Sequence, residues 1–281
     1  MIIDAHRHVW DTRVLRYPWL DSEPSLPRTH LPADAADAKV TGAVFVQADA
    51  ADGAAEAAWV QGLAASWPQL SGIVAHAPIE DADALVPRLD ELSALPLHVG
   101  VRRLLQDEPP GFIESEAVLG GLAELARRGL PFDACIRYGQ LPELTRAVAA
   151  VPGLRVVLDH LGKPPVAAGI ASPEGREWVR MLRDFAAVPG TLAKLSGLAP
   201  EADPGRPLRE QVAPFLSNAL VVFGPDRLMV GSDWPVSAAT PHQTGFGEWF
   251  ELVSDVLRLA PDDAERVLSA TAERHYGLKQ R

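Results

Sequence analysis

The chain has 281 residues, of which 47% are hydrophobic and 22% charged, and its formal net charge is −11. This composition allows a large apolar core and does not indicate disorder. The negative charge disfavours nucleic acid and anionic membranes as partners, because both repel an acidic protein, so we expect a small-molecule partner.

Short β-type runs alternate with longer amphipathic patterns along the whole chain. The β-type runs are residues 2–6, 42–46, 71–76, 97–102, 131–136, 154–160, 191–195 and 227–231. The helical patterns are residues 54–66, 82–93, 116–128, 141–150, 173–187, 207–219, 246–259 and 261–276. This alternation predicts a single-domain (β/α)₈ barrel, of the α/β class, over residues 1–281. An open doubly wound sheet is disfavoured, because no Gly-rich phosphate loop follows the first strand.

Two further features concern the first loop and the compartment. The stretch 17–32 carries four prolines and predicts a long first loop over the catalytic face of the barrel. The only cysteine, Cys135, lies in an apolar run and favours a buried, inert thiol. No apolar stretch reaches the ~18 residues of a membrane helix, and the first residues do not resemble a signal peptide. We therefore predict a cytoplasmic protein.

Polar side chains stand at the ends of the predicted strands. In a barrel the carboxyl ends of all strands meet at one face, so these side chains are expected to share one site. The convergence of titratable groups from separate strands predicts an enzyme. The residues at these ends are His6, His8, His76, Arg102, Arg103, Asp159, His160, Lys194 and Asp233.

His6, His8 and Asp233 are the candidate metal ligands. Residues two apart on a strand project to the same side, so two imidazoles here can chelate an ion or donate hydrogen bonds to a carbonyl oxygen. Asp233 can ligate an ion, act as a general base, or do both; a turn or helix-capping role is the structural alternative. We predict one divalent ion, with zinc as the best match, and a site that is also able to work without it. Together with His160, these residues are the predicted catalytic groups.

Further candidates concern substrate binding. Arg102, Arg103 and Lys194 offer positive charge, and adjacent strand residues face opposite ways, so one of the two arginines is expected to face the site. His76 and Trp234 are candidate lining residues. Because no G-x-S-x-G motif occurs, water is the expected nucleophile, and hydrolysis, hydration or metal-assisted decarboxylation are the candidate reactions.

Several sequence blocks together resemble the lactonase branch of the amidohydrolase superfamily, whose members include fuconolactonases, rhamnonolactonases and pyrone dicarboxylate lactonase. The blocks are I-D-A-H-R-H at 3–8, G-V-R-R-L-L-Q-D-E-P at 100–109, F-D at 132–133, V-L-D-H-L-G-K-P at 157–164, K-L-S-G-L at 194–198 and G-S-D-W-P at 231–235. The resemblance runs from residue 2 to about residue 277.

The resemblance implies a barrel that hydrolyses sugar or pyrone lactones, with Asp233 as the base that activates water. It implies that His6, His8 and His160 surround the lactone carbonyl or the metal, and that Arg102 binds substrate. Family members often have histidine where this chain has Arg103. The binuclear form of the superfamily needs a carboxylated lysine near the end of the fourth strand, where arginines stand here, so at most one ion is expected.

Two other functions are weighed against a lactonase. A metal-dependent decarboxylase of the same superfamily would share the H-x-H motif, His160 and Asp233. A catalytically inactive barrel that serves as a binding protein is the alternative from another class. The presence of His6, His8, His160 and Asp233 together argues against the inactive barrel.

Overall fold

The computed structural model describes residues 1–278, and its main sheet has eight parallel strands. Strand order in this sheet is β1-β4-β5-β6-β7-β8-β9-β10, so neighbours along the chain are neighbours in the sheet. Together with the helices that connect the strands, this arrangement confirms the predicted (β/α)₈ barrel. The strands are β1 (Ile2–Arg7), β2 (Trp10–Asp11), β3 (Thr29–His30), β4 (Val40–Val46), β5 (Leu70–His76), β6 (His98–Leu104), β7 (Phe132–Cys135), β8 (Val156–Leu158), β9 (Thr191–Leu195) and β10 (Leu228–Val230).

The barrel is nearly closed, and single hydrogen bonds join its first and last strands in place of a ladder. The Asp233 amide donates to the carbonyl of His6 over 2.8 Å, and the His8 amide donates to the carbonyl of Trp234 over 3.0 Å. The carboxylate of Asp4 accepts from the Ser232 amide at 2.8 Å. These bonds bring the segments that follow β1 and β10 side by side.

The helices lie between the strands and begin where the sequence offers caps. Asp52, Asp81, Ser115 and Ser172 each accept a hydrogen bond from an amide of the first turn. A turn of π-helix, Arg266–Ala270, joins the last two helices, which the sequence predicted as one. The helices are α1 (Gly53–Gly62), α2 (Ala82–Ser93), α3 (Glu116–Arg128), α4 (Leu141–Ala149), α5 (Pro173–Ala186), α6 (Leu208–Phe223), α7 (Phe246–Leu257), α8 (Pro261–Glu265) and α9 (Thr271–Tyr276).

The connection between β1 and β4 differs from a standard barrel unit. The described chain has no α-helix between β1 and β4; β2 and β3 instead pair there as a short antiparallel hairpin. The loop is anchored by an apolar cluster that includes Trp10, Tyr17 and Leu20. It therefore has its own core, and it reaches the carboxyl ends of the strands as predicted.

The main core fills the space between the sheet and the surrounding helices, where residues such as Leu122, Phe132, Trp178 and Phe215 are fully buried. Burial of so much apolar surface is the main term that stabilises the barrel. Among residues 1–278, no helix is both long enough and apolar enough to cross a bilayer.

Candidate active site

A cavity of about 360 Å³ opens at the carboxyl ends of the strands. His8, Arg102, His160 and Asp233 are its buried polar lining residues. The first loop contributes Trp19, Ser22 and Glu23, and the remaining lining residues are Ala48, Asp49, Leu104, Gln106, Asp107, Cys135, Lys163, Gly197, Pro200, Glu201 and Val236.

The carboxylate of Asp233 lies among three imidazoles. Its Oδ1 atom is 3.4 Å from His8 Nε2, 3.7 Å from His160 Nε2 and 3.8 Å from His6 Nε2. The two first-strand imidazoles are also close, with 3.2 Å between their Nε2 atoms. The Ser237 hydroxyl donates to Asp233 Oδ2 over 2.8 Å, which leaves Oδ1 to face the imidazoles.

The protonation states in this cluster follow from burial and mutual charge. Burial lowers the pKa of His6 well below its ordinary value and that of His160 to about 4. Burial alone would raise the pKa of Asp233, but His160 and His8 hold it below its ordinary value. At neutral pH the site therefore presents neutral His6 and His160 imidazoles beside an ionised carboxylate.

His160 reaches the site through an unusual backbone turn. The strand β8 ends at Leu158, and residues 160–163 follow with four positive φ angles of 56°, 53°, 72° and 52°. Residues other than glycine adopt this left-handed backbone conformation at a cost of roughly 1–2 kcal/mol each. Such backbone strain is concentrated at functional sites. His160 thus lies on a left-handed turn, whereas the sequence predicted a strand to residue 160.

Two glycines allow the close packing of the imidazoles. A Cβ atom at Gly197, where φ is +62°, would lie 2.2 Å from His160 Nδ1. A Cβ atom at Gly231 would lie 2.6 Å from His6 Cβ. Both glycines belong to the blocks K-L-S-G-L and G-S-D-W-P, so these blocks supply space as well as polar groups.

Lys194 is fully buried and does not line the cavity, contrary to its expected role in substrate binding. Its Nζ atom lies 2.5 Å from Asp133 Oδ2, 3.0 Å from Asp159 Oδ1 and 3.2 Å from His6 Nδ1. Burial would lower the pKa of Lys194, but Asp133 and Asp159 raise it above its ordinary value. Lys194 is therefore an ammonium ion on the side of His6 that faces away from the cavity.

The two arginines of β6 separate as the strand geometry requires. Arg102 lines the cavity, with Nη1 at 3.5 Å from both His6 Nε2 and Asp159 Oδ2, and Nη2 donates to the Gln47 carbonyl. Arg103 forms ion pairs with Glu80 and Glu108 at 2.9 and 2.6 Å. Because Arg103 is outside the lining, the structure gives it no contact with a substrate in this cavity.

Two other candidate lining residues also lie away from the cavity. His76 is half-buried at the end of β5, where its Cβ packs closely against Gly53 at the start of α1. Trp234 packs its ring against His30 and Phe246. Both residues stand at strand ends as predicted, but their side chains pack against neighbouring elements and do not line the cavity.

Several polar residues that line the cavity or support it were not predicted from the sequence. Lys163, within the D-H-L-G-K-P block, donates to Gln106 Oε1, and Glu201 stands in the same lining. The Tyr276 hydroxyl lies 2.8 and 2.9 Å from the two carboxylate oxygens of Asp133. Lys163 and Asp133 were within recognisable blocks, but Tyr276 lies in the last helix and nothing in its local sequence indicates the contact. Cys135 is buried as expected and lies at the cavity edge.

The donor set of His6, His8 and Asp233 fits one divalent ion. Ligands about 2.0–2.1 Å from a tetrahedral zinc are roughly 3.3–3.4 Å apart, and neutral imidazole with carboxylate is a common zinc donor set. The three separations here are 3.2, 3.4 and 3.8 Å. His8 Nδ1 lies 2.8 Å from the Val46 carbonyl, a contact that orients the ring as outer contacts orient metal ligands.

Comparison with known proteins identifies relatives over the whole length. A family profile described as amidohydrolase matches residues 3–278. An L-fucono-1,5-lactonase from Burkholderia multivorans is 33% identical, over 99% of this chain and 96% of that protein. An L-rhamnono-gamma-lactonase from Scheffersomyces stipitis is 27% identical, over 64% of this chain and 59% of that protein.

A solved structure gives the same picture of the fold. The crystal structure of an amidohydrolase from Burkholderia multivorans with bound zinc has a TM-score of 0.84 and 30% identity to this chain. The match covers 99% of this chain and 100% of that one. The likeness therefore extends over the entire barrel.

Proposed function

The chain belongs to the amidohydrolase family, and from this premise we propose that it is a lactonase that opens the ring of a small sugar lactone. Relatives named lactonases cover most or all of the chain. The observation that carries the proposal is the Asp233 carboxylate, which lies among three imidazoles in a 360 Å³ cavity. This arrangement activates water.

In the proposed reaction, Asp233 takes a proton from a water molecule as its oxygen attacks the ring carbonyl carbon. The carbonyl oxygen becomes an oxyanion, and the buried Arg102 guanidinium, which lines the same cavity, offers it positive charge. The bond between the carbonyl carbon and the ring oxygen then breaks, and the proton passes to the leaving alkoxide. His160 polarises the carbonyl or assists this transfer, because its Nε2 atom lies 3.7 Å from Asp233 Oδ1.

We propose that His6, His8 and Asp233 would hold one divalent ion, and that zinc is the ion. Their spacing supports this choice, and so does the zinc in the related amidohydrolase. When bound, such an ion supplies Lewis acidity to the carbonyl and lowers the pKa of water. We propose one ion and not the binuclear form, because Arg102 occupies the strand end where that form would need a carboxylated lysine.

Charge in the cavity favours a neutral lactone over an anionic one. Carboxylates outnumber cations among its lining residues, so a dicarboxylate substrate would meet net repulsion, whereas hydroxyl groups of a sugar lactone can both donate and accept hydrogen bonds. The lining cations are Arg102 and Lys163, and the carboxylates are Glu23, Asp49, Asp107, Glu201 and Asp233.

A lactone panel in a pH-indicator assay tests the proposal. We expect acid release from sugar 1,5- or 1,4-lactones, faster than from 2-pyrone-4,6-dicarboxylate, with the protein assayed before and after chelator treatment. Carbon dioxide release from an unsaturated acid, without acid release from any lactone, would instead identify the decarboxylase. The lactone is the proposed small-molecule partner, and a cytoplasmic location remains a prediction from the sequence.

A further inference from the structure

The His6 imidazole has a hydrogen-bond partner at each nitrogen, and these partners determine where its proton lies. We propose that Lys194 holds the proton of neutral His6 on Nε2 and thereby competes with a divalent ion for this imidazole. The inference rests on the ion site within the proposed function, because His6 is one of its ligands.

At Nδ1, the partner of His6 is a donor. The Lys194 ammonium has hydrogens and no free electron pair, and its Nζ atom forms a hydrogen bond with His6 Nδ1 over 3.2 Å. Asp159 Oδ1 lies 3.3 Å from the same nitrogen, but within residues 1–278 this oxygen has no hydrogen-bond partner of suitable geometry. Nδ1 therefore accepts, and the proton of the neutral ring belongs on Nε2.

At Nε2, the partner of His6 is an acceptor, which leads to the same conclusion. His8 Nδ1 contacts the Val46 carbonyl, an acceptor only, so His8 carries its proton there and leaves a lone pair on Nε2. That lone pair lies 3.2 Å from His6 Nε2, which donates to it. Arg102 Nη1 also approaches His6 Nε2, but at 3.5 Å this contact exceeds the usual length of a hydrogen bond.

Lys194 is held in place from the opposite side. Asp133 Oδ2 accepts its shortest hydrogen bond, at 2.5 Å, and the Tyr276 hydroxyl donates to the Asp133 carboxylate in turn. All three side chains are buried. The last helix thus fixes Asp133, Asp133 fixes Lys194, and the ammonium cannot turn away from His6 without leaving a buried charge unpaired.

An ion bound by His6 Nε2 needs a free lone pair on that nitrogen. In this arrangement Nε2 carries the proton instead. The proton must move to Nδ1, and the hydrogen bonds from Lys194 and to His8 are lost. The Nδ1–H group then faces the Lys194 ammonium, and its nearest carboxylate oxygen, Asp159 Oδ1 at 3.3 Å, is poorly placed to accept from it. The proton stays on the ring, so this is an exchange between tautomers. Lys194 is therefore a positioning residue that weakens ion binding and favours an exchangeable ion.

The test uses the double variant Lys194→Met/Asp133→Asn, which removes one positive and one negative charge and keeps the buried charge balanced. Lys39→Met is the matched control, because Lys39 is exposed and pairs with Glu251 at the surface. Zinc affinity is measured by competition with a chromophoric chelator. Outer contacts of ligands typically change metal affinity by about 10- to 100-fold, so we expect the double variant to bind zinc at least about tenfold more tightly.

A second readout needs only the natural sequence. Nitrogen-15 NMR of chelator-treated, histidine-labelled protein, with His6 assigned by a His6→Gln variant, shows which ring nitrogen carries the proton. We expect protonated Nε2 and unprotonated Nδ1, and the reverse result overturns the inference even when the double variant does not fold. Unchanged zinc affinity in a folded double variant, or no zinc binding by either protein, also overturns it. Lactone hydrolysis does not enter these measurements, so the proposed activity stands or fails separately.

Discussion

The substitution Gly197→Ala tests the placement of His160 without altering any titratable group. The added Cβ atom would lie 2.2 Å from His160 Nδ1, whereas ordinary contacts begin near 3.4 Å. The imidazole must therefore retreat by about 1.2 Å, because backbone on both sides fixes the new methyl group. Ser196 Oγ, 2.9 Å from Nδ1, cannot keep its hydrogen bond through such a shift.

The expected loss in activity follows from this displacement. Misplacing a catalytic group by about 1 Å typically lowers the rate by ~10²-fold, so we expect kcat/KM for the best lactone to fall by at least that factor. The left-handed backbone at Gly197, with φ of +62°, adds roughly 1–2 kcal/mol of destabilisation for alanine.

Gly129→Ala is the matched control for the backbone effect. Gly129 has a φ of +69°, but no atom of residues 1–278 lies within 4 Å of the added Cβ. Steady-state lactone hydrolysis and urea unfolding of both variants separate the two contributions. We expect Gly129→Ala to lose stability and keep activity. Gly197→Ala with activity within a few-fold of wild type would refute the role of His160 in this position.

Other predictions concern charge. Arg102→Met should lower kcat/KM by about 10²-fold, as loss of one oxyanion partner does. Arg103→Met breaks a half-buried ion-pair cluster outside the cavity, so it should lower stability and leave kcat/KM close to that of wild type; equal effects in steady-state kinetics would contradict the assignment. Burial raises the pKa of Glu56 to about 8 from the ordinary 4.5. Stability from its neutral form is complete below pH 4.5 and is lost as pH rises through 8, so urea unfolding should show wild type losing more stability than Glu56→Gln between pH 5 and 8. Parallel losses in the two proteins would show that Glu56 is not the cause.

The sequence predicted the barrel and the polar strand ends because both depend on local patterns. Alternating apolar runs placed the strands, and H-x-H and G-S-D-W-P sit where the chain closes the barrel, so the proximity of His6, His8 and Asp233 followed from topology. The direction of each side chain was harder to predict. Trp234, for example, turns from the cavity towards Phe246.

The remaining features depend on tertiary contacts that no local pattern specifies. The sequence placed Lys194 in the cavity, but two distant carboxylates, Asp133 and Asp159, draw its ammonium to the other side of His6. Tyr276 joins this network from the last helix, 143 positions along the chain from Asp133. The left-handed turn at residues 160–163 depends on the packing around it. Strand propensity alone therefore predicted a strand to residue 160, beyond the observed end of β8 at Leu158.

The most direct test of the account is the lactone hydrolysis rate of Asp233→Asn. Asparagine keeps the shape and the contact with Ser237 but cannot accept a proton from water, and general-base catalysis typically contributes ~10²–10⁴-fold. Asp184→Asn, at an exposed ion pair of α5, is the matched control. We expect kcat of Asp233→Asn to fall by at least about 10²-fold at an unchanged melting temperature. A folded Asp233→Asn protein with kcat within a few-fold of wild type would contradict the central claim that this carboxylate activates the water.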